Sequence, residues 1–545
     1  MKRWKGWGDP EKNYPIPDSG KDYLIQILGS SQNLPDISEP EIIESTPPSR
    51  LGNIDFISTE AMDRIRHSCG QSLPDWIRIH AGTIPRVTDG VSYPQTHEEI
   101  KKVIKFAQDN QIVLIPYGGG TSVVGHINPP KTDKPVLTLD LSRMNQLLGM
   151  DETSRIATFQ AGIRGPEIES VLNKAGYTLG HFPQSFEFST LGGWIASRSC
   201  GQQSYYYGRI ENLFRGGHLI TPVGDLNLQP VPASSAGPDL KQFILGSEGR
   251  LGIISQAIVQ VVPLPEFEEF YGIFFKDWEA GLSAVREITH NRVQVSMLRL
   301  SDAQETLTTL ILSGKDNIVR AASTGLSAFG FGEQKCLLIL GVTGEKNIAS
   351  TARKSALQIC RKHGGLNTGS FIGKSWQKSR FLTPYLRNSL WEAGYALDTL
   401  ETAVTWDRLT LLKKKIMSAI SRAGEDRNLR ILVFGHLSHV YQTGGSIYIT
   451  YLFRRSPEPE ENLEIWEEIK SAASKEIIVG GGTISHQHGV GNDHKEYFVQ
   501  EIGSLGVNFL HHSNKFFDHD NILNPHVLID PENKETVQTN DLGID

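Results

Sequence analysis

The chain has 545 residues, of which 39% are hydrophobic and 21% charged. This is soluble globular chemistry spread over two or three domains, and it excludes a disordered chain. Acidic residues (61) outnumber Lys plus Arg (54), so the net charge is −7; nothing here suggests a sequence-independent nucleic-acid surface, no nucleic-acid partner is expected, and an anionic substrate needs a local cationic pocket.

The opening "MKRWKGWGDP" lacks the apolar core of a signal peptide. No apolar run approaches the roughly 20 residues of a spanning helix, and "LGID" at the end is no peroxisomal tripeptide. A cytoplasmic protein is expected, with peripheral membrane contact left open. Cys69, Cys200, Cys336 and Cys360 are scattered without a C-x-x-C pair, which predicts reduced thiols. Residues 1–80 read as an N-terminal arm, and Pro35, Pro40, Pro47 and Pro48 break 31–50 into a linker.

From about residue 85 the pattern sharpens. Thr96 with Glu99 predicts a capping box, and Ile100, Val103, Ile104 and Ala107 follow helical spacing. Strands are expected at "IVLIPY", "VLTLDLS" (136–142) and "RIATFQAGI" (155–163). Pro166 opens a helix that Gly176 stops. After the strand "IISQAIVQVVPLP" (253–265) the character changes. A second domain follows, with "CLLILGV" (336–342), a helix near 346–362, the alternating "SIYITYLF" (446–453) and a helix near 460–478. "NILNPHVLID" (521–530) reads as a short return segment.

Three glycine-rich stretches carry the chemistry. "PYGGGTSVVG" (116–125) follows the first buried strand, "EFSTLGGWIASRSCG" (187–201) comes about 70 residues later, and "GSEGRLGII" (246–254) closes the region. Glycine tolerates positive φ and lets amide N–H groups converge on an anion. No lysine stands in Walker-A position, and Val123 breaks a G-x-G-x-x-G reading. Three such segments favour a long anionic ligand with an aromatic end, a dinucleotide.

"PYGGGTSVVG", "EFSTLGGWIASRSCG", "YGRIENL" and "GSEGRLGIISQAIVQV" resemble the vanillyl-alcohol-oxidase-type (PCMH-type) flavoproteins. Within them the chain resembles the alkyldihydroxyacetonephosphate synthases and their bacterial relatives. The likeness runs from "RWKGWG" (3–8) through "MLRLSD", "PYLRNSL", "TLETAVTWDRL" and "YQTGGSIY" to "GGTISHQHGVG" (481–491) and "ILNP" (522–525).

The resemblance implies an α+β fold: a two-subdomain FAD-binding domain (81–265), an α+β cap (266–480), and a segment (481–545) returning histidines to the flavin. It implies non-covalently held FAD, cradled by Pro116, Gly118, Gly119, Gly120, Thr121 and Ser122. Pro183, Ser189, Thr190, Gly192, Gly193, Trp194 and Ser197 would form the second wall, and Glu248, Gly249, Gly252 and Ile253 the third. His126 and His181 would be polar lining. The implied activity exchanges the acyl chain of acyl-dihydroxyacetone phosphate for a fatty alcohol, through an adduct at flavin N5. The implied partners are a lipid-phosphate substrate and a second copy of the chain.

His486 and His488 lie two residues apart, so in an extended segment they share a face, where imidazoles suit general acid–base work. His436 and His439 could join them around a metal, although no metal is expected. By the resemblance, Tyr448 assists proton transfer. Arg299 and Arg387 are the candidate anion anchors, their planar forks suited to phosphate or carboxylate. The family carries three consecutive histidines before Gly-Val-Gly; this chain has Gln487 in the middle. The alternative expectation is an FAD-dependent oxidoreductase acting on a 2-hydroxy acid, as in D-lactate dehydrogenases, or on an alcohol. A third is a catalytically silent flavin-binding scaffold.

Overall fold

The computed structural model describes residues 2–312, 314, 326–327 and 329–530. Residues 531–545 of the expected return segment lie outside them. No helix among the described residues is long and apolar enough to cross a membrane.

A first subdomain is built on three parallel strands, Gly90–Ser92, Val136–Asp140 and Val113–Tyr117, with Val136–Asp140 in the middle. The central strand is buried along its whole length, as a sheet covered on both faces requires. The helix His97–Asp109 buries Ile100, Val103, Ile104 and Ala107 as spaced. Only half of its expected capping box forms. Thr96 Oγ1 accepts the Glu99 N–H at 3.2 Å, but the Glu99 carboxylate takes the Gln95 N–H at 2.6 Å. A second subdomain is a five-stranded antiparallel sheet with Ile253–Gln260 at its centre. The helix Gly165–Lys174, with Pro166 in its first turn, belongs to it. The return segment reaches back to the first sheet, where Leu523 bridges Leu114 in parallel.

The cap is a seven-stranded antiparallel sheet spanning Phe267–Phe275 to Gly444–Arg454 in the chain. Period-2 alternation gives its two faces different tasks. Leu298, Leu300, Leu338, Leu340, Ile447 and Ile449 join the main core, on the side of the long helices Lys346–Lys362 and Trp406–Asp426. Their alternates Met297, Arg299, Leu337, Ile339, Tyr448 and Thr450 face a cavity instead. The run "SIYITYLF" thus serves a core and a binding site with the same strand.

Residues 1–80 are more structured than a bare arm. They hold the helices Asp18–Leu28, Glu39–Ser45, Ala61–Arg66 and Leu73–Ala81. Pro40 sits in the first turn of its helix, where its missing N–H costs nothing, and Ser38 with Glu41 closes a capping box. Pro74 and the Ser72–Asp75 pair repeat the device. The prolines read as breakers are, in part, helix starts.

Candidate active site

One cavity of about 1400 Å³ lies between the glycine loops and the open face of the cap sheet. That exceeds the ~300–1,000 Å³ of a pocket for a drug-sized ligand, so a dinucleotide and a second molecule have room. The expected cradle residues line it with one exception. Ile253 opens its strand with its side chain turned inward, fully buried beside Leu114 and Ile220.

What crowds the glycines is partly the protein itself. A Cβ on Gly119 would stand 1.8 Å from the Phe188 carbonyl oxygen, and one on Gly118 would stand 2.2 Å from Thr190 Oγ1. The two glycine-rich loops approach as bare backbone. Gly120 takes φ +64° and turns the chain. Among the described residues, the N–H groups of 119–123 meet no acceptor in the chain. Such converging, unpaired amides suit a diphosphate, so the observed cradle fits FAD. Glu248 accepts the N–H groups of Val490 (2.6 Å) and Gly491 (2.8 Å), clamping the histidine segment onto this cradle.

That segment does not run extended. The buried Glu401 carboxylate bends it, accepting the N–H groups of Gln487 (2.6 Å) and His488 (2.8 Å) through one oxygen. The two histidines therefore part company. His488 lines the cavity together with Gln487, whereas His486 lies behind the wall. Arg209 donates to His486 Nε2 at 2.6 Å and to its carbonyl at 2.9 Å, and the Tyr441 hydroxyl meets Nε2 at 2.5 Å. With Nε2 engaged as an acceptor, His486 positions its neighbours and has no free base nitrogen. The shared-face expectation fails because its premise, an extended backbone, fails.

Burial holds both imidazoles below their usual pKa, against the pull of Glu401, so both are neutral at pH 7. Glu401 is held well below the usual carboxylate range: burial opposes ionisation, but His488, His486 and the two backbone donors outweigh it. Tyr448 lines the cavity edge-on to His488, with ring centroids 5.7 Å apart. Its hydroxyl donates to Thr399 Oγ1 at 3.1 Å, and burial raises its pKa, so it keeps its proton.

The two arginines differ in what they can still bind. Arg299 is already spent on Glu305 (2.6 Å) and Ser301 (3.1 Å), which corrects its reading as a free anion anchor. Arg387 lies over the Trp76 ring and donates one N–H to the Gln71 carbonyl at 2.5 Å. Its Nε and second terminal nitrogen are buried without a partner. Asp398 and Asp75 favour its charge without pairing with it, and a guanidinium at a cavity wall with no ion pair among the described residues suits an anion.

His436 pairs with Glu305 at 3.0 Å and so does not join a metal cluster with His486 and His488. Cys200, His439 and His486 bring donor atoms within 4.8 Å of one another. The Arg209 guanidinium already occupies His486 Nε2 there, so a cation would face a fixed positive charge. Glu401, Arg209 and Tyr441 are the residues that sequence reasoning missed. The available signal for Glu401 was a charged residue inside the strand-like "TLETAVT", at the alternation position of Thr399.

Two family models match the chain: an FAD binding domain over residues 88–227, and the C-terminal domain of FAD linked oxidases over 264–528. Fold and cradle thus define an FAD-dependent flavoenzyme with an α+β cap. The chain is 31% identical to the alkyldihydroxyacetonephosphate synthase of Dictyostelium discoideum, across 97% of its own length and 93% of that protein. It is 28% identical to the Trypanosoma brucei brucei protein of the same name, over 98% and 94%. A solved alkyldihydroxyacetonephosphate synthase matches with a TM-score of 0.83 at 28% identity, covering 96% of this chain and 98% of that one. The chain belongs to the alkyldihydroxyacetonephosphate synthase family.

Proposed function

We propose that this enzyme exchanges the acyl chain of an acyl-dihydroxyacetone phosphate for a fatty alcohol, a step of ether-lipid synthesis. The observation that carries the reading is the cavity's polarity. At one end stands the unpartnered Arg387 fork beside His488 and Tyr448; at the other, Phe274, Met297, Leu337, Ile339, Leu366 and Ile372 make an apolar lobe. A phosphate and a long alkyl chain fit the two ends. The reaction releases the carboxylic acid, and the alcohol oxygen takes its place on the same carbon, with no net oxidation.

Bound FAD supplies the nucleophilic ring nitrogen. In this reading Arg387 holds the phosphate. Neutral His488 takes the proton beside the ketone and passes it, by way of the Tyr448 hydroxyl, to the departing carboxylate; it is then free to take the proton of the alcohol and return it to that carbon. His486, Arg209 and Glu401 fix the geometry, while Arg299 orders the cavity wall. The division into arm, FAD domain, cap and return segment is proposed with the same boundaries as above. The cavity mouth supports contact with a lipid surface: Leu307, Phe329 and Phe371 are exposed there, and Lys335, Lys374 and Lys378 line it.

The test is anaerobic mixing of the yellow enzyme with acyl-dihydroxyacetone phosphate and a labelled fatty alcohol. Labelled ether product without lasting flavin bleaching is expected. Bleaching by D-lactate or another 2-hydroxy acid, with no exchange, would replace this reading by the oxidoreductase one.

The apolar lobe makes a separate prediction. Ile339→Phe narrows it, and each methylene kept out of it forfeits about 0.8 kcal/mol. Excluding three methylenes costs about 2 kcal/mol, or roughly a 30–60-fold loss of kcat/KM. That loss is expected for a sixteen-carbon chain and not for an eight-carbon one, and a chain-length series measures it.

A further inference from the structure

Lys2 occupies a position that the fold alone does not explain. Its ammonium donates to the carbonyls of Gly119 (2.8 Å) and Gly120 (3.2 Å), on the reverse of the glycine loop. Among the described residues it makes no ion pair. The nearby Asp140 is taken by His67 at 2.9 Å and by the Ser142 N–H at 2.7 Å. Burial and the neighbouring Arg164 draw the Lys2 pKa down to about 8, so it is still mostly charged at neutral pH. Asp140 offsets part of that burial from one side, but with both oxygens engaged it forms no ion pair with Lys2, and an anion across the loop would offset more.

The geometry says where. A peptide carbonyl is conjugated with the N–H of the next residue. The carbonyls of Gly119 and Gly120 belong to the same peptide units as the N–H groups of Gly120 and Thr121, two of the unpaired donors at the cavity. A cation on the carbonyl side polarises those peptides and strengthens donation on the other. It also holds the turn at Gly120 and adds a positive charge behind the loop. The strap that carries Lys2 is anchored: Trp7 donates its N–H to Asn388 Oδ1 (2.9 Å), and Asn388 returns a bond to the Trp7 carbonyl (3.0 Å). Asn388 adjoins the proposed phosphate anchor Arg387.

We infer that Lys2 is a positioning residue for the FAD diphosphate, reaching from the N-terminal strap to set and polarise the amide nest of residues 119–121. The inference rests on the reading of that loop as the diphosphate site. The experiment titrates flavin-free full-length protein with FAD and, separately, with riboflavin, which lacks the diphosphate, following flavin fluorescence. For Lys2→Met, FAD is expected to bind about tenfold more weakly with a shallower salt dependence, and riboflavin as in the parent. FAD affinity within twofold of the parent overturns the inference, and so does an equal loss for both ligands, which would mark a merely structural role. Gly119→Ala, its fold checked by circular dichroism, probes the nest itself. If it keeps full FAD affinity, the nest reading falls and takes the Lys2 inference with it. If it loses FAD while Lys2→Met does not, the nest reading stands and the Lys2 inference alone is overturned.

Discussion

His488→Asn is expected to lower the exchange rate by about 10²–10⁴-fold while leaving FAD bound, the range that a positioned acid–base group contributes. His488 lines the cavity, and its Nδ1 stands 3.5 Å from Glu401 Oε1. A proton on Nδ1 is favoured by that carboxylate, which leaves Nε2 as the basic atom. Asn matches part of the shape but cannot take a proton at neutral pH. His486→Asn should cost less, because His486 lies behind the cavity wall and acts through its neighbours. The two also separate by pH. The parent's kcat/KM should fall on the acid side through a pKa below 6.5, since burial lowers that of His488. This limb should persist in His486→Asn and vanish in the residual activity of His488→Asn. A rate within tenfold of the parent for His488→Asn would remove it from the chemistry.

Legibility in the sequence followed the range of the physics involved. The glycine stretches were readable because their reason is local: a positive φ at Gly120 and a Cβ that cannot fit at Gly119 are both properties of a short segment. The cap sheet was partly readable, since "SIYITYLF" alternates, yet nothing local says which face meets a core and which a cavity. The arm of residues 1–80 was misread because proline breaks one helix and opens another, and only the partner Glu41 of Ser38 distinguishes the cases. The site itself depended on contacts across the chain. Glu401 and Gln487 are 86 residues apart, and Arg209 and His486 are 277 apart. A motif read along the backbone put His486 and His488 side by side. The carboxylate that separates them belongs to a distant strand, whereas the partner of Arg299, Glu305, stands only six residues along the chain on the helix Ala303–Leu312.

Glu401 therefore carries the second large effect, and its two substitutions should differ in kind. Glu401→Ala leaves the buried N–H groups of Gln487 and His488 without an acceptor, at about 1–3 kcal/mol for each unsatisfied donor. The loop should lose its bend, and the enzyme should lose both stability and most of its activity. Glu401→Gln keeps an oxygen for the two N–H groups but removes the charge. That charge raises the pKa of both histidines, against burial. Without it they fall further, so the acid limb of kcat/KM should move to lower pH while the rate drops through poorer orientation of His488. Stability should respond in the same direction but in two windows. The histidines, lowered in the folded state, make unfolding easier as pH falls below 6.5. The Glu401 carboxylate, also lowered, contributes stability that is complete above its unfolded value near 4.5 and is lost as pH falls further toward its folded value. Denaturant titrations from pH 8 to pH 3 should show both declines in the parent. In Glu401→Gln the contribution below pH 4.5 should be missing and the one below pH 6.5 enlarged. An unchanged pH profile in both rate and stability would mean that Glu401 only fills space.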